Sequence, residues 1–234
     1  MIELNNVTKQ YGTITAVDHV SFSVKAGEYF ALLGPNGAGK TTIVKMLLDF
    51  TRPTTGTLSI DGLSSTNAAC RTAIGYLAEN HRIPPQLTGR QYLTRCTELL
   101  GMDFRQGADA CLKIINMIGM EGREDGRANT YSKGMVQRFG LGAALLGKPK
   151  LLILDEPTSG LDPIGIREVR LLLESLKEDG MTIFLNSHLL SEVEKICDTA
   201  AIIHQGRLMV KDAISAIVKD GDSLEDVFVS VVKG

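Results

Sequence analysis

The sequence predicts an α/β fold: a parallel core sheet, an antiparallel strand set at its front, and an inserted helical segment. Three observations lead there. The first thirty residues alternate apolar and polar with a period of two. Two short, fully apolar runs, Tyr29–Leu33 and Leu151–Leu154, have the form of strands buried on both faces. Between them, from about Pro84 to Arg138, apolar residues recur at helical spacing.

In chain order, Ile2-Glu3-Leu4 with Val7 and Val20–Val24 read as half-buried strands. Tyr29–Leu33 is followed by a glycine-rich loop, Gly34–Gly39. A helix is expected from Lys40 to about Asp49, with Ile43, Met46, Leu47 and Phe50 on one face. Thr57–Gly62 is a strand and turn. Thr88 with Gln91 forms a capping-box pattern, and Leu93, Cys96, Leu99 and Leu100, then Leu112, Ile115 and Ile118, mark helical faces. Strand and helix alternate again from Leu151: a helix over about Ile164–Lys177, a strand at Thr182–Leu185, a helix over about Leu189–Ile196. Ala200–Ile203 and Arg207–Val210 make a hairpin, and Ser223–Val229 begins a capped amphipathic helix packed on its own domain. Met117, Met120 and Met135 read as packing residues.

Composition narrows the function classes. The chain has 234 residues, 44% hydrophobic and 22% charged, with 25 basic against 27 acidic side chains and a net charge of −2. That balance offers no basic stripe for nucleic acid. The longest apolar run, Phe139–Gly147, has nine residues, against roughly 20 for a spanning helix. No signal-peptide pattern opens the chain. Cys70, Cys96, Cys111 and Cys197 are scattered without a C-x-x-C pair, which favours a reduced, cytoplasmic setting. Glycine, 24 of 234, exceeds the usual ~7%.

The chemistry concentrates in few places. Gly34-Pro35-Asn36-Gly37-Ala38-Gly39-Lys40-Thr41-Thr42 fits G-x-x-x-x-G-K-[ST] between a buried strand and a helix. Small residues let backbone N–H groups turn inward around phosphate oxygens. The helix N-terminus and the Lys40 ammonium add positive charge, and the Thr41 hydroxyl is suited to Mg2+. Leu151–Leu154 ends in Asp155-Glu156. At the carboxyl end of a parallel strand, Asp155 can hold the metal through water, and Glu156 can accept a proton from attacking water.

With these motifs in this order, the chain resembles the ATP-binding subunits of ABC transporters over about residues 2–231. Asp155–Asp162 (D-E-P-T-S-G-L-D) is similar to the family's Walker B and D-loop stretch. Tyr131-Ser132-Lys133-Gly134-Met135 stands where the signature is usually Leu-Ser-Gly-Gly-Gln; Ser132 is also a good helix N-cap. Its Y-S-K-G-M form resembles a subset paired with ABC-2-type membrane subunits, often exporters. Glu79 holds the Q-loop position, His188 the H-loop and Tyr11 the aromatic A-loop.

The resemblance implies a P-loop cassette with a RecA-like core. Residues 1–80 and 139–220 would form the nucleotide-binding core with its antiparallel β subdomain, 81–138 the helical subdomain, and 221–234 a C-terminal helix. Tyr11 would stack on adenine, Lys40 and His188 would contact the γ-phosphate, and Thr41, Asp155 and Glu79 would serve Mg2+. Ser132, Lys133, Gly134 and Met135 would cover the ATP of a second copy, with Asp162 across the interface. The implied activity is hydrolysis of MgATP in a dimer, homodimeric or paired with a paralogue. It would power a separate ABC-2-type permease from the inner face of the cell membrane. The same residues admit a second reading, in which the cassette drives a membrane signalling or mechanical complex without moving a solute. A nucleotide kinase would lack both the 155–162 string and the signature.

Overall fold

The structure, a computed structural model, describes residues 1–219 and 221–233. Two of the expected segment ends, 220 and 234, lie outside the described residues. The elements run β1 (Ile2–Tyr11), β2 (Ile14–Val24), β3 (Tyr29–Leu33), α1 (Lys40–Leu47), β4 (Thr55–Ile60), β5 (Leu63–Ser64), α2 (Ala68–Arg71) and β6 (Ile74–Leu77). Next come α3 (Gly89–Leu99), α4 (Phe104–Met117), a 3-10 turn (Ala128–Thr130), α5 (Lys133–Leu145), β7 (Leu151–Asp155) and α6 (Pro163–Glu178). The chain closes with β8 (Thr182–Asn186), α7 (Leu190–Ile196), β9 (Thr199–His204), β10 (Arg207–Ala213), α8 (Ile214–Ile217) and α9 (Leu224–Lys233). They group into two compact units: Met1–Thr72 with the chain from Lys177 onward, and Ala73–Leu176.

In the first unit β1 pairs antiparallel with β2 (Ile2 opposite Val24, Leu4 opposite Phe22) and with β4, which pairs with β5. The inward residues Ile2, Leu4, Val20, Phe22 and Val24 are buried and their neighbours face solvent, as a period of two requires. β3 runs parallel between β8 and β9, and β10 returns antiparallel on β9. Every residue of β3 and β8 is buried. Phe30 lies with its ring centroid 5.2 Å from those of both Phe22 and Phe184, so adjoining strands share one aromatic core.

The first helix departs from expectation at its end. α1 buries Ile43, Val44, Met46 and Leu47, but Asp49 takes a positive φ of 58°. The chain leaves the helical track there, and Phe50 is 68% exposed instead of joining the buried face. At the other end of the unit, Ser223 and Asp226 cap α9 reciprocally, and Leu224 is fully buried. That helix packs on its own unit as its sequence suggests.

In the second unit β6 and β7 pair in parallel, Leu77 opposite Leu154. The Thr88–Gln91 capping box forms in full. The buried stripe of α3, however, is Gly89, Leu93 and Thr97, while Leu99 and Leu100 face solvent. The reason is the approach of α4: a Cβ on Gly107 would lie 2.7 Å from Thr97 Oγ1, so the helices meet at a glycine–threonine contact. On α4 the inward residues are Gly107, Cys111, Ile114 and Ile115, leaving Leu112 and Met117 exposed. Met117 is therefore no packing residue, whereas Met120 is buried. Gly142 of α5 admits Ile114 and Ile118 by the same device.

Thr88→Ala removes an N-cap and is expected to cost about 1 kcal/mol. Thermal unfolding should show a reduced melting temperature, with Thr88→Ser restoring most of the loss.

Candidate nucleotide site

The first unit builds the loop expected to take phosphate. Residues 34–39 leave the carboxyl end of β3 and enter α1 at Lys40. Gly39 has φ +107°, and a Cβ there would sit 2.3 Å from the Ala16 carbonyl oxygen of β2. Gly37 also has positive φ but faces open space. The Gly206 N–H donates to the Ala38 carbonyl at 3.0 Å, so the β9–β10 turn braces the loop from another side. The Lys40 ammonium donates to the carbonyls of Gly34 (2.6 Å) and Pro35 (3.1 Å), curling back over its own loop. Lys40 is buried, and Thr41 and Thr42 follow it on the first turn of α1.

His188 emerges at the same edge. Leu32 of β3 is opposite Asn186 of β8, and His188 follows two residues later, exposed. It precedes α7: the Leu189 N–H donates to Ser187 Oγ at 3.1 Å and the helix starts at Leu190. Tyr11 ends β1 at the hairpin with β2, 45% exposed, with the Lys9 ammonium 4.8 Å from its ring centroid.

The second unit gathers the acids. Asp155 ends β7 and is buried; Glu156 follows with a positive φ of 52°. A non-glycine residue held there costs of order 1–3 kcal/mol, and such strain clusters at functional sites. Glu79 stands exposed in the turn after β6, the strand paired with β7. Tyr76 connects the acids: burial, then the charges of Asp155 and Glu79, push its phenol above the ordinary tyrosine range. No pattern in the sequence marks Tyr76, since its relation to Asp155 arises only from strand pairing.

The signature residues and the D-loop also meet inside this unit. Ser132 caps α5, accepting from the Met135 N–H at 3.2 Å. Asp162 caps α6, accepting from the Gly165 N–H at 2.7 Å ahead of Pro163. Both caps line one open cleft of about 620 Å3, together with Lys133, Gly134 and Met135. The Lys133 side chain lies across Gly160, where a Cβ would fall 2.4 Å from its Nζ. Arg123 and the Arg138–Glu168 ion pair complete the walls. Neither arginine nor Glu168 stood out in the sequence.

Among the described residues no three His, Cys, Asp or Glu side chains could hold a metal by themselves. The donors on offer are hard oxygens: the Thr41 hydroxyl and the Asp155 and Glu79 carboxylates. Thr41 belongs to the first unit and both carboxylates to the second; oxygens of this kind are the ligands Mg2+ takes, with waters filling the rest of its shell.

The chain is similar to known proteins in sequence and in fold. The family described as "ABC transporter" matches residues 17–159. The bacitracin transport ATP-binding protein BcrA of Bacillus licheniformis is 41% identical over 212 residues, 89% of this chain and 68% of the relative. The lantibiotic transport ATP-binding protein SrtF of Streptococcus pyogenes is 36% identical over 228 residues, 97% and 96% of the two chains. A solved ATP-binding subunit of an ABC transporter superposes with a TM-score of 0.88 at 29% identity, covering 99% of each chain. A dimeric cassette in a post-hydrolysis state bound to ADP and Pi shares the fold, with a TM-score of 0.81 at 24% identity over 91% of this chain and 98% of that one.

Two predictions follow from the geometry. Gly39→Ala meets both a positive φ and the Ala16 carbonyl, whereas Gly37→Ala meets only the φ. Denaturant unfolding should show Gly37→Ala costing about 1–2 kcal/mol and Gly39→Ala clearly more. The second concerns His81, whose imidazole burial holds below its usual range. The unfolded chain then binds the proton more readily, so stability falls as pH drops through about 6.5 and is untouched above it. His81→Leu should flatten that part of the stability–pH curve.

Proposed function

The chain belongs to the ABC transporter family, and we propose that it is the ATP-hydrolysing subunit of an exporter driving a separate ABC-2-type membrane permease. In this reading two cassettes close over two MgATP molecules, each held between the phosphate loop of one copy and the signature of the other. The observation that carries it is the cleft of the second unit. There the N-terminus of α5, with Ser132 and Lys133 exposed, opens to solvent beside Asp162. A capped helix end presented this way is suited to receive an anion from another molecule.

Each residue has a task. The backbone N–H groups of 34–42 and the Lys40 ammonium hold the β- and γ-phosphates. On nucleotide entry the ammonium exchanges the Gly34 and Pro35 carbonyls for phosphate oxygens. Tyr11 gives the adenine a stacking face. Thr41, Asp155 and Glu79 would hold Mg2+, which when bound neutralises charge on the phosphates. Glu156 takes a proton from water as the water oxygen bonds to the γ-phosphorus and the bond to the β–γ bridging oxygen breaks. His188 hydrogen-bonds the γ-phosphate and orients the attacking water. Ser132 and Gly134 of the second copy close the opposite side, Lys133 and Met135 shape the rim, and Asp162 reaches across the interface.

Relatives named for bacitracin and lantibiotic transport favour solute movement over a purely signalling role. No helix among the described residues is long and apolar enough to cross a membrane, in keeping with a peripheral subunit whose partner supplies the path at the inner face of the membrane.

Glu156→Gln should lower steady-state phosphate release at least 100-fold while retaining MgATP binding, and should accumulate an ATP-dependent dimer in light scattering. Full turnover in that variant would remove Glu156 as the base. Lys40→Ala should abolish the calorimetric heat of MgATP binding; an unchanged titration would overturn the nucleotide reading itself.

A further inference from the structure

Tyr131, immediately ahead of Ser132, ties several segments of the second unit together. Its hydroxyl accepts from the Gly89 N–H at 3.0 Å and lies 2.8 and 2.7 Å from the carbonyl oxygens of Arg123 and Gly126. Gly89 opens α3, and its N–H has no partner within its own helix. The capping box serves Gln91 and Thr88, so the tyrosine supplies what the helix start lacks. The ring stacks on Phe139 with centroids 5.2 Å apart and planes within 12°. Phe139 is fully buried and presses on Gly89, where a Cβ would lie 2.1 Å from the ring.

Around this node two stretches of chain are zipped together. The Arg90 N–H donates to the Glu124 carbonyl, and the Ala128 N–H to the Leu87 carbonyl. The Arg90 guanidinium pairs with Glu124 and Asp125. On the upstream side, the turn carrying Glu79 leads to His81, whose ring lies 5.6 Å from that of Tyr92 on α3 and against Gly140 of α5. The 79–81 turn, the start of α3 and the residue before the signature serine thus form one continuous set of contacts. A phenylalanine at 131 would fill the same volume and keep the stack; the hydroxyl supplies only directional bonds to backbone on two other segments.

We propose that Tyr131 is a positioning residue for the signature: its hydroxyl fixes Ser132 and the first turn of α5 against the start of α3, and through it against the turn that carries Glu79. The inference rests on the reading that Ser132 covers nucleotide bound by a second copy. The Tyr131 hydroxyl and ring are engaged by Gly89, Arg123, Gly126 and Phe139 of their own unit, so in this proposal the residue acts on dimer closure and leaves capture by the phosphate loop alone.

The test uses the full chain carrying Glu156→Gln, with and without Tyr131→Phe, and with Ser223→Ala as a control that weakens a cap elsewhere. Sedimentation should show the ATP-dependent dimer weakened about fivefold to tenfold by Tyr131→Phe, the loss of about one ordinary hydrogen bond. ATP affinity of the monomer should stay within twofold, and Ser223→Ala should leave the dimer as it was. With Glu156 restored, kcat should fall while KM for ATP changes little. Equal dimerisation with and without Tyr131→Phe overturns the proposal. So does a loss that Ser223→Ala reproduces, or one accompanied by weaker monomer binding, since either marks a general stability effect. If the Glu156→Gln parent forms no dimer with ATP, the functional reading fails first and takes this inference with it.

Discussion

The contact between Gly39 and the carbonyl of Ala16 is the constraint on which the candidate site depends. A loop that surrounds phosphate must turn its N–H groups inward, and that curvature brings backbone against backbone. With φ at +107° and a would-be Cβ 2.3 Å from a carbonyl oxygen, position 39 admits only glycine without displacement of β2. Strand β2 in turn is held by β1, and the Gly206 N–H fixes Ala38 from the β9–β10 turn. The shape of the loop is therefore set by the antiparallel sheet and the terminal hairpin as much as by its own sequence. A loop braced from two sides of its own unit holds its curvature by contacts outside its own sequence.

The second unit solves a different problem. Its acids sit at the carboxyl ends of two paired parallel strands, where buried apolar runs give way to polar turns. Asp155 completes β7 with ordinary backbone, while Glu156 turns to positive φ at once. The turns that follow, with Ser159 N–H to the Glu156 carbonyl and Leu161 N–H to the Thr158 carbonyl, hold that conformation and end in the Asp162 cap. A strained acid followed by a braced turn is a means of aiming one carboxylate independently of its neighbour.

Much of this was legible because it is local. The loop pattern, the acid pair, the Thr88 box and the Ser132 cap each depend on residues within a few positions of one another, and the structure forms the boxes and caps as their spacing dictates. Two causes account for the departures. Phe50 faces solvent because Asp49 turns to positive φ after α1, whereas Leu99, Leu100, Leu112 and Met117 face solvent because their helices meet through Gly107–Thr97 and Gly142–Ile114. Periodicity identifies a helix, but close approach at a small residue decides which stripe is covered. Tyr76, and the contacts of Tyr131, were illegible for a related reason: Asp155 lies across a strand pair from Tyr76, and the Gly89 partner of Tyr131 is 42 positions away.

The departures from the usual signature then acquire a physical sense. A lysine at the first position of a helix is disfavoured by the helix dipole, whose positive end lies there. Lys133 occupies that position in α5, yet its side chain reaches over Gly160 in a cleft that also holds Asp162 and Glu168. The lysine thus reaches from the start of α5 to the 158–162 turn within one chain. Tyr131 performs the complementary task on the other side of Ser132, reaching back to α3. Tyr131 and Lys133, on either side of Ser132, thus each tie the start of α5 to another segment of the second unit.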